Sequence, residues 1–290
     1  MMIRTLCKWA VVVIFFVSVG STWANGAKKN ITIAISPCTD VVLNFKKFNP
    51  LVTYLTEQTG LDIRLVVPKD SVDFERDIKN GAIDFALQDP NVYVMFAPLY
   101  DKETLLRALT PEGGVSQSGV VIVRKDDNIN QLKDLTGKTV MFGPKLSAAR
   151  WMAAKLLFEE NGINIDQDLK AYSNGGCCED IAFSVYLKAV DAGVVCDHFL
   201  EEHPTKQKEL GVETNQIRVI ARTRLVSTRV FAARLGTSKT TTAQIYQALL
   251  RLDKNKHAHA KILSPAELGG FQKSKDEDYD NIRMLIETKR

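Results

Sequence analysis

The chain has 290 residues, with 38 lysines plus arginines against 34 aspartates plus glutamates and a formal charge of +4. Charge this close to balance, without a long basic run, gives no support to nucleic-acid binding and leaves room only for a local cationic site. There is no G-x-S-x-G, P-loop, H-E-x-x-H or C-x-x-C-H motif, so no cofactor is expected and no catalytic residue is assigned.

The first two dozen residues read as a secretory signal. Arg4 and Lys8 make a positive start, Trp9 to Val19 is apolar apart from Ser18, and Thr22-Trp23-Ala24 is a small-x-small site, so cleavage is expected after Ala24. The apolar run is shorter than the ~20 residues of a spanning helix, although an uncleaved anchor is the alternative. The remainder suits two lobes of roughly 120 residues each. Lobe 1 is expected to comprise 25–114 with 224–290, and lobe 2 115–223.

Strand and helix patterns then alternate. Ile31–Ile35 is a short strand. A helix follows over 49–59, with Asn49 as N-cap, Pro50 first and Gly60 as its stop. Asp62–Val67 is a strand, Ser71 caps a short helix ending at Gly81, and Ile83–Leu87 is a third strand. Asp89-Pro90 opens a helix through Val92, Tyr93 and Phe96. Gly113-Gly114 marks a crossing to the second lobe, followed by the strand Gly119–Val123 and a helical turn around Leu132 and Leu135.

The stretch Lys138–Gly162 is the most informative. It reads as a strand (Thr139–Phe142), a Gly143-Pro144 turn and a helix capped by Ser147 and stopped at Gly162. Free N–H groups and the positive dipole end of that helix point into a loop that also carries Lys145. It is therefore either an ordinary strand-turn-helix corner or an anion site. Beyond it come the unit starting at Leu169–Tyr172 and the loop from Ser173 to Cys178. A helix carrying Ala182, Val185, Tyr186 and Ala189 follows, and then the strand Gly193–Cys196. Strands over 217–222 and 228–233 and helices over 241–252 and around Tyr279, Ile282 and Ile286 close the chain, with a second crossing near 221–226.

Such alternation argues for parallel sheets covered on both faces, with ligand at the carboxyl ends of the strands. The loops that meet there are 36–40, 88–90, 116–118, 143–148, 175–179 and 226–229.

Four cysteines follow the expected cleavage point: Cys38, Cys177, Cys178 and Cys196. A disulfide from Cys177 or Cys178 to Cys196 is one reading in an oxidising compartment. Zinc at Cys196-Asp197-His198 is a weaker one, because the spacing fits no C-x-x-C framework. His257 and His259 read as solvated surface.

Three stretches carry a resemblance: FNPLVTYLTEQTG (48–60), NGAIDFALQDPNVY (80–93) and, most specifically, SGVVIVRKDDNINQLKDLTGKTVMF (118–142), together with Val190-Asp191-Ala192-Gly193. They resemble the periplasmic substrate-binding proteins of phosphate/phosphite/phosphonate-type ABC transporters, over about residues 31–235. The resemblance implies an α/β, two-lobed type II periplasmic binding protein, each lobe a mostly parallel sheet flanked by helices. It also implies a monomeric, non-enzymatic role in the periplasm, handing a small anion to ABC transporter permeases. The family usually holds its anion on a serine-rich loop after the "G-K-x-V-x-F" strand, here Gly143–Ala148. Only Ser147 remains of that hydroxyl cluster, and Lys145 stands beside it. Gly176-Cys177-Cys178-Glu179-Asp180 and Ser116-Gln117-Ser118 also depart from the family pattern.

The expected ligand-binding residues are Lys145, Ser147, Ala148, Gln88, Tyr93, Ser118, Cys38 and Cys178, and no metal site is expected. Each has a plainer reading: a solvated lysine, a helix cap, core packing for Tyr93, a small buried apolar group for Cys38. Asp191 is read as a turn contact at a strand start. The rival functions are a periplasmic sensor or accessory binding protein of the same fold with another ligand, and a secreted enzyme using Cys38 or Cys178 as nucleophile.

Overall fold

A computed structural model describes residues 30–37, 41–199 and 214–287. The signal-like segment and Cys38 lie outside them. The first run is β1 (Ile31–Ile35), α1 (Val41–Thr59), β2 (Ile63–Val66), α2 (Ser71–Lys79), β3 (Phe85–Gln88), α3 (Pro90–Phe96) and β4 (Tyr100–Leu109). The chain then passes through the two-residue strand β5 (Ser116–Gln117) into β6 (Gly119–Arg124), β7 (Thr139–Phe142), α4 (Ala153–Glu160), β8 (Ala171–Asn174), α5 (Cys178–Tyr186), β9 (Ala192–Cys196) and β10 (Ile217–Arg222). It returns through β11 (Val226–Ser227) to β12 (Val230–Arg234), α6 (Lys239–Leu250), α7 (His257–Leu263), β13 (Gly270–Ser274) and α8 (Asp280–Glu287).

Two sheets result, in the orders β13-β4-β12-β3-β1-β2 and β10-β6-β9-β7-β8. Each is parallel over one half (β3-β1-β2; β9-β7-β8) and antiparallel over the other. The parallel halves contain the helix-linked units. The antiparallel halves contain the strands beside the crossings, which need no crossover helix. Between the sheets, β5 and β11 pair antiparallel as a two-residue ribbon, Val226 opposite Gln117.

Both sheets are covered on two faces. In the first, Phe48, Leu51 and Leu55 of α1 and Leu249 of α6 bury one face, while Phe74 of α2, Tyr93 of α3 and Tyr279 bury the other. In the second, Leu135, Phe142 and Phe158 pack on one side and Ile181 and Val185 of α5 on the other. A fifth cluster joins the lobes: Ile282 and Leu285 of α8 lie against Ala148, Ala149, Met152 and Leu156. No helix among the described residues is long and apolar enough to cross a membrane.

Several elements depart from the sequence reading. Helix α1 begins at Val41, not Asn49, and carries Pro50 inside it. Proline there removes one backbone donor, but burial of Asn44 and Phe48 holds the preceding turns in the helix. The cap of α2 is Asp70, whose carboxylate accepts from Asp73 N at 2.9 Å, not Ser71. Strand β4 has no clean alternation, because Asp101, Lys102, Glu103 and Arg107 interrupt it, yet it is paired on both edges. Ser147 is a cap, but the turn after it, Ala148–Met152, is a π turn, and α4 starts only at Ala153. His259 is not simply solvated: its Nδ1 accepts from Asp253 N at 3.1 Å, and its ring meets Tyr54 edge-on.

Candidate functional site

The carboxyl ends of β1, β3, β7 and β9 open on one cavity of about 130 Å³ between the lobes. All six loops expected there contribute to its wall: Ser36, Asp89, Gln117, Lys145 with Ser147, Cys177–Glu179, and Arg229. Asn44 and Lys47 of α1, Ser71 at the start of α2, Cys196 at the end of β9, His198 beyond it, and Glu267 in the turn before β13 also line it.

Three cationic side chains, Lys145, Arg150 and Arg229, line this space. Lys145 is exposed on its loop. Arg150 is 7% exposed and donates from Nη1 to Gly176 O at 3.1 Å. It folds back over Gly143, where an added Cβ would lie 2.4 Å from Arg150 Cβ, so only glycine leaves room for it. Arg229 precedes β12, and among the described residues its guanidinium has no hydrogen-bond or ion-pair partner. Lys47 is different. It bridges Glu179 at 3.1 Å and Glu267 at 3.0 Å. Desolvation pulls its pKa down, but the two carboxylates more than offset that, and it stays charged. Glu267, despite burial, is held ionised by Lys47 and Arg229, and it sits at φ 55° in the left-handed region. Such strain in a non-glycine residue often marks a site held by its surroundings.

Neutral donors add to this. Asn44 is 1% exposed, and its Nδ2 has no hydrogen-bond partner among the described residues. Ser147 Oγ accepts from Arg150 N at 3.3 Å, which leaves its hydroxyl hydrogen available.

Asp89 ties the lobes together. As cap of α3, its Oδ1 accepts from Asn91 N at 2.9 Å, and the same oxygen accepts from Ala148 N of the other lobe at 3.1 Å. Desolvation pushes its carboxyl up to about 6, against the pull of these N–H groups and of Arg150 and Arg229. Asn91 Nδ2 donates to Leu146 O at 3.1 Å beside it.

Of the residues singled out from sequence, Lys145, Ser147 and Cys178 line the cavity. Ala148 does not: its side chain is buried in the interlobe apolar cluster and its N–H is taken by Asp89. Gln88 is fully buried, accepting from Tyr100 OH at 3.1 Å. Tyr93 is a core residue whose hydroxyl donates to Asp276 at 2.6 Å, and it does not line the cavity. Ser118 is spent on Asp197, through both N–H (2.9 Å) and hydroxyl (2.8 Å), while its neighbour Gln117 faces the cavity. Cys38 lies outside the described residues. Cys177, Cys178 and Cys196 are thiols, not a disulfide, with Cys196 N donating to Cys178 Sγ at 3.1 Å. The hydrogen bond to the Cys196 side chain and then burial raise the Cys178 pKa, which keeps it a poor nucleophile. Asp191 accepts from Thr139 N and Oγ1, each at 2.7 Å, at the start of β7.

Sequence reasoning missed Asn44, Lys47, Arg150, Arg229 and Glu267. Asn44 and Lys47 were legible as an i, i+3 pair only if α1 were extended back past Pro50.

Residues 33–279 match the family model for the periplasmic substrate-binding protein of phosphonate ABC transporters. The chain belongs to this family. Among curated relatives, the phosphate-import protein PhnD of Mycolicibacterium smegmatis is 27% identical over 222 residues, covering 73% of this chain and 68% of that protein. Among solved structures, a binding component of a phosphonate ABC transporter from Pseudomonas aeruginosa superposes with a TM-score of 0.78 at 18% identity, over 90% of this chain and 86% of that one. PhnD1 of Prochlorococcus marinus, in complex with methylphosphonate, gives 0.77 at 16% identity, over 90% and 98%. At these identities the two structures speak for the fold. As a substrate-binding protein, the molecule pairs a two-lobed clamp with a cation-lined cleft.

Proposed function

We propose that this protein captures a small phosphorus oxyanion, phosphate or an alkylphosphonate, in the interlobe cavity and presents it to an ABC transporter. The observation that carries the ligand class is the convergence of Lys145, Arg150 and Arg229 on one small cavity, with Ser147 and Asn44 as neutral donors. Charge-assisted contacts from arginine suit a tetrahedral oxyanion, and the cavity is too small for a long substituent. Family membership and the ligands named for the Mycolicibacterium and Prochlorococcus relatives point the same way. Cys178 remains in the proposed wall as a thiol donor.

Mechanistically, the lobes 25–114 with 224–290 and 115–223 move as units about the β5–β11 ribbon. Ligand bridges cations of lobe 2 (Lys145, Arg150) and lobe 1 (Arg229), so its binding energy favours the closed arrangement. The closed form, acting as a periplasmic monomer, is what the permease recognises. The test is a thermal-shift panel of phosphate, phosphite, methylphosphonate, sulfate and carboxylates. Stabilisation by phosphorus oxyanions, lost in Lys145→Ala combined with Arg229→Met, supports the reading. A response to carboxylates alone overturns the ligand class.

A further inference from the structure

Two thiols of lobe 2 meet in the cavity wall. Cys178 opens α5, Cys196 ends β9, and both line the cavity. Cys196 N donates to Cys178 Sγ at 3.1 Å, and the two side chains are hydrogen-bonded to each other. The pair, 18 positions apart in the chain, is therefore close enough to be bridged. Cys177 is a poorer partner, because it is buried and its S–H donates to Asp180 Oδ2 at 3.2 Å. Cys178 is buried whereas Cys196 is only half-buried, so a reagent entering the cavity reaches Cys196 first. A periplasmic substrate-binding protein works in an oxidising compartment, where such a pair meets disulfide-bearing oxidants.

We infer that Cys178 and Cys196 are a reversible oxidation site, bridged by thiol–disulfide exchange with an external disulfide, and that bridging weakens the anion cleft. Cys196 attacks one sulfur of the oxidant's disulfide. That bond breaks, a mixed disulfide forms, and the departing thiolate takes up the Cys196 proton. Cys178 then attacks Cys196 Sγ, the mixed disulfide breaks, and the second departing thiolate takes up the Cys178 proton. The two cysteines lose two hydrogens and two electrons, and the oxidant's disulfide becomes two thiols. The hydrogen bond to Cys196 and burial, which raise the Cys178 pKa, suit it to the second step and not to the first. The effect on the cleft rests on the oxyanion reading above. Bridging removes the S–H that Cys178 offers in the wall and ties the start of α5 to the end of β9. Beside this strap, Gly176 O accepts from Arg150 Nη1 at 3.1 Å and Glu179 reaches Lys47 of the other lobe at 3.1 Å, so the bridge is set among groups that shape the site.

The test exposes the purified, reduced protein to oxidised glutathione and maps its disulfides by mass spectrometry of unreduced peptides. Methylphosphonate and phosphate are then titrated calorimetrically into the oxidised and reduced forms. A Cys178–Cys196 bridge that dithiothreitol reverses is the expected product. It is expected to raise the melting temperature by about 5–10 °C, the order for a closed loop of this length. Methylphosphonate affinity is expected to fall by about 3- to 10-fold, the range of one neutral hydrogen bond. In Cys196→Ser both differences between oxidised and reduced samples are expected to vanish. A protein that stays reduced, carries only glutathione adducts, or bridges through Cys38 or Cys177 overturns the inference and leaves the oxyanion reading intact. A mapped Cys178–Cys196 bridge with equal affinity in the two states overturns the effect on the cleft. A folded protein that binds neither ligand in either state overturns the oxyanion reading and that effect together, while the peptide map still decides the oxidation site. The wild-type map and titrations are decisive alone should Cys196→Ser fail to fold.

Discussion

At the scale of single residues, the cavity wall combines cations, Lys145, Arg150 and Arg229, with the carboxylates of Asp89, Glu179 and Glu267. Arg229 is the clearest test of attraction, since its guanidinium has no hydrogen bond or ion pair among the described residues, although its charge also helps keep Glu267 ionised. Arg229→Met is expected to lower methylphosphonate affinity by about 10- to 100-fold, the range of one charge-assisted hydrogen bond, with only a modest fall in the ligand-free melting temperature, because Lys47 still faces Glu267. Calorimetry and a melting curve read the two effects separately. Asp89 makes a prediction about pH. Its folded-state pKa is about 6 against an ordinary 3.8, so the native state holds the proton more tightly than the unfolded chain. The contribution is fully present below the unfolded value and is lost as pH rises through about 6. Two units correspond to about 3 kcal/mol. Asp89→Asn, still a good cap, is therefore expected to stabilise the ligand-free protein above pH 6, with the advantage fading toward pH 4. Denaturant midpoints at several pH values check it, and a gap independent of pH would contradict it. Lys145, Ser147 and Cys178 were legible in sequence because strand-end loops carry ligand groups in α/β sheets. Tyr93 and Gln88 were not separable from ligand groups by sequence, because which way a buried polar side chain points depends on the neighbouring strand. Tyr93 finds Asp276 and Gln88 finds Tyr100.

At the scale of elements, the corner from β7 into α4 sets the cationic wall. The π turn Ala148–Met152 and the absence of a side chain at Gly143 together let Arg150 fold over the turn and reach Gly176. Gly143→Ala is expected to displace Arg150, destabilise the protein by about 1–3 kcal/mol and weaken oxyanion binding, because the inserted methyl group meets a buried side chain. Wild-type stability and affinity in that variant would show that the close approach is unimportant. The strand, the turn and the Ser147 cap of this corner were all readable from local chemistry. The π turn was not, since it reflects tertiary packing around Arg150. The same distinction explains α1, where Pro50 looked like a first residue and proved to be internal. It also explains β4, whose charged residues hide a strand stabilised by two neighbours.

At the scale of the whole molecule, two sheets face each other across a cleft and are tied at its edge. Asp89 with Ala148 N, Asn91 with Leu146 O, and Lys47 with Glu179 cross from one lobe to the other. The β5–β11 ribbon and the α8 cluster also join the lobes. Glu179→Gln removes the ionic tie but leaves Lys47 paired with Glu267. Its expected effect is a ligand affinity lower by about 2- to 10-fold, the worth of a partly exposed ion pair, and a larger radius of gyration without ligand in solution scattering. Unchanged scattering and affinity would show that the tie does not bias closure. The alternation of strand and helix made a two-lobed α/β clamp legible from the sequence. The antiparallel half of each sheet was less so, because it depends on how the chain returns past the crossings.

The most direct measurement is calorimetric titration of the purified protein with methylphosphonate and with phosphate, run beside Arg229→Met. Saturable one-to-one binding of at least one of them, weakened tenfold or more in the variant, is the predicted result. A folded protein that takes up neither, or a variant that binds as tightly as the wild type, would contradict an oxyanion site built on these cations.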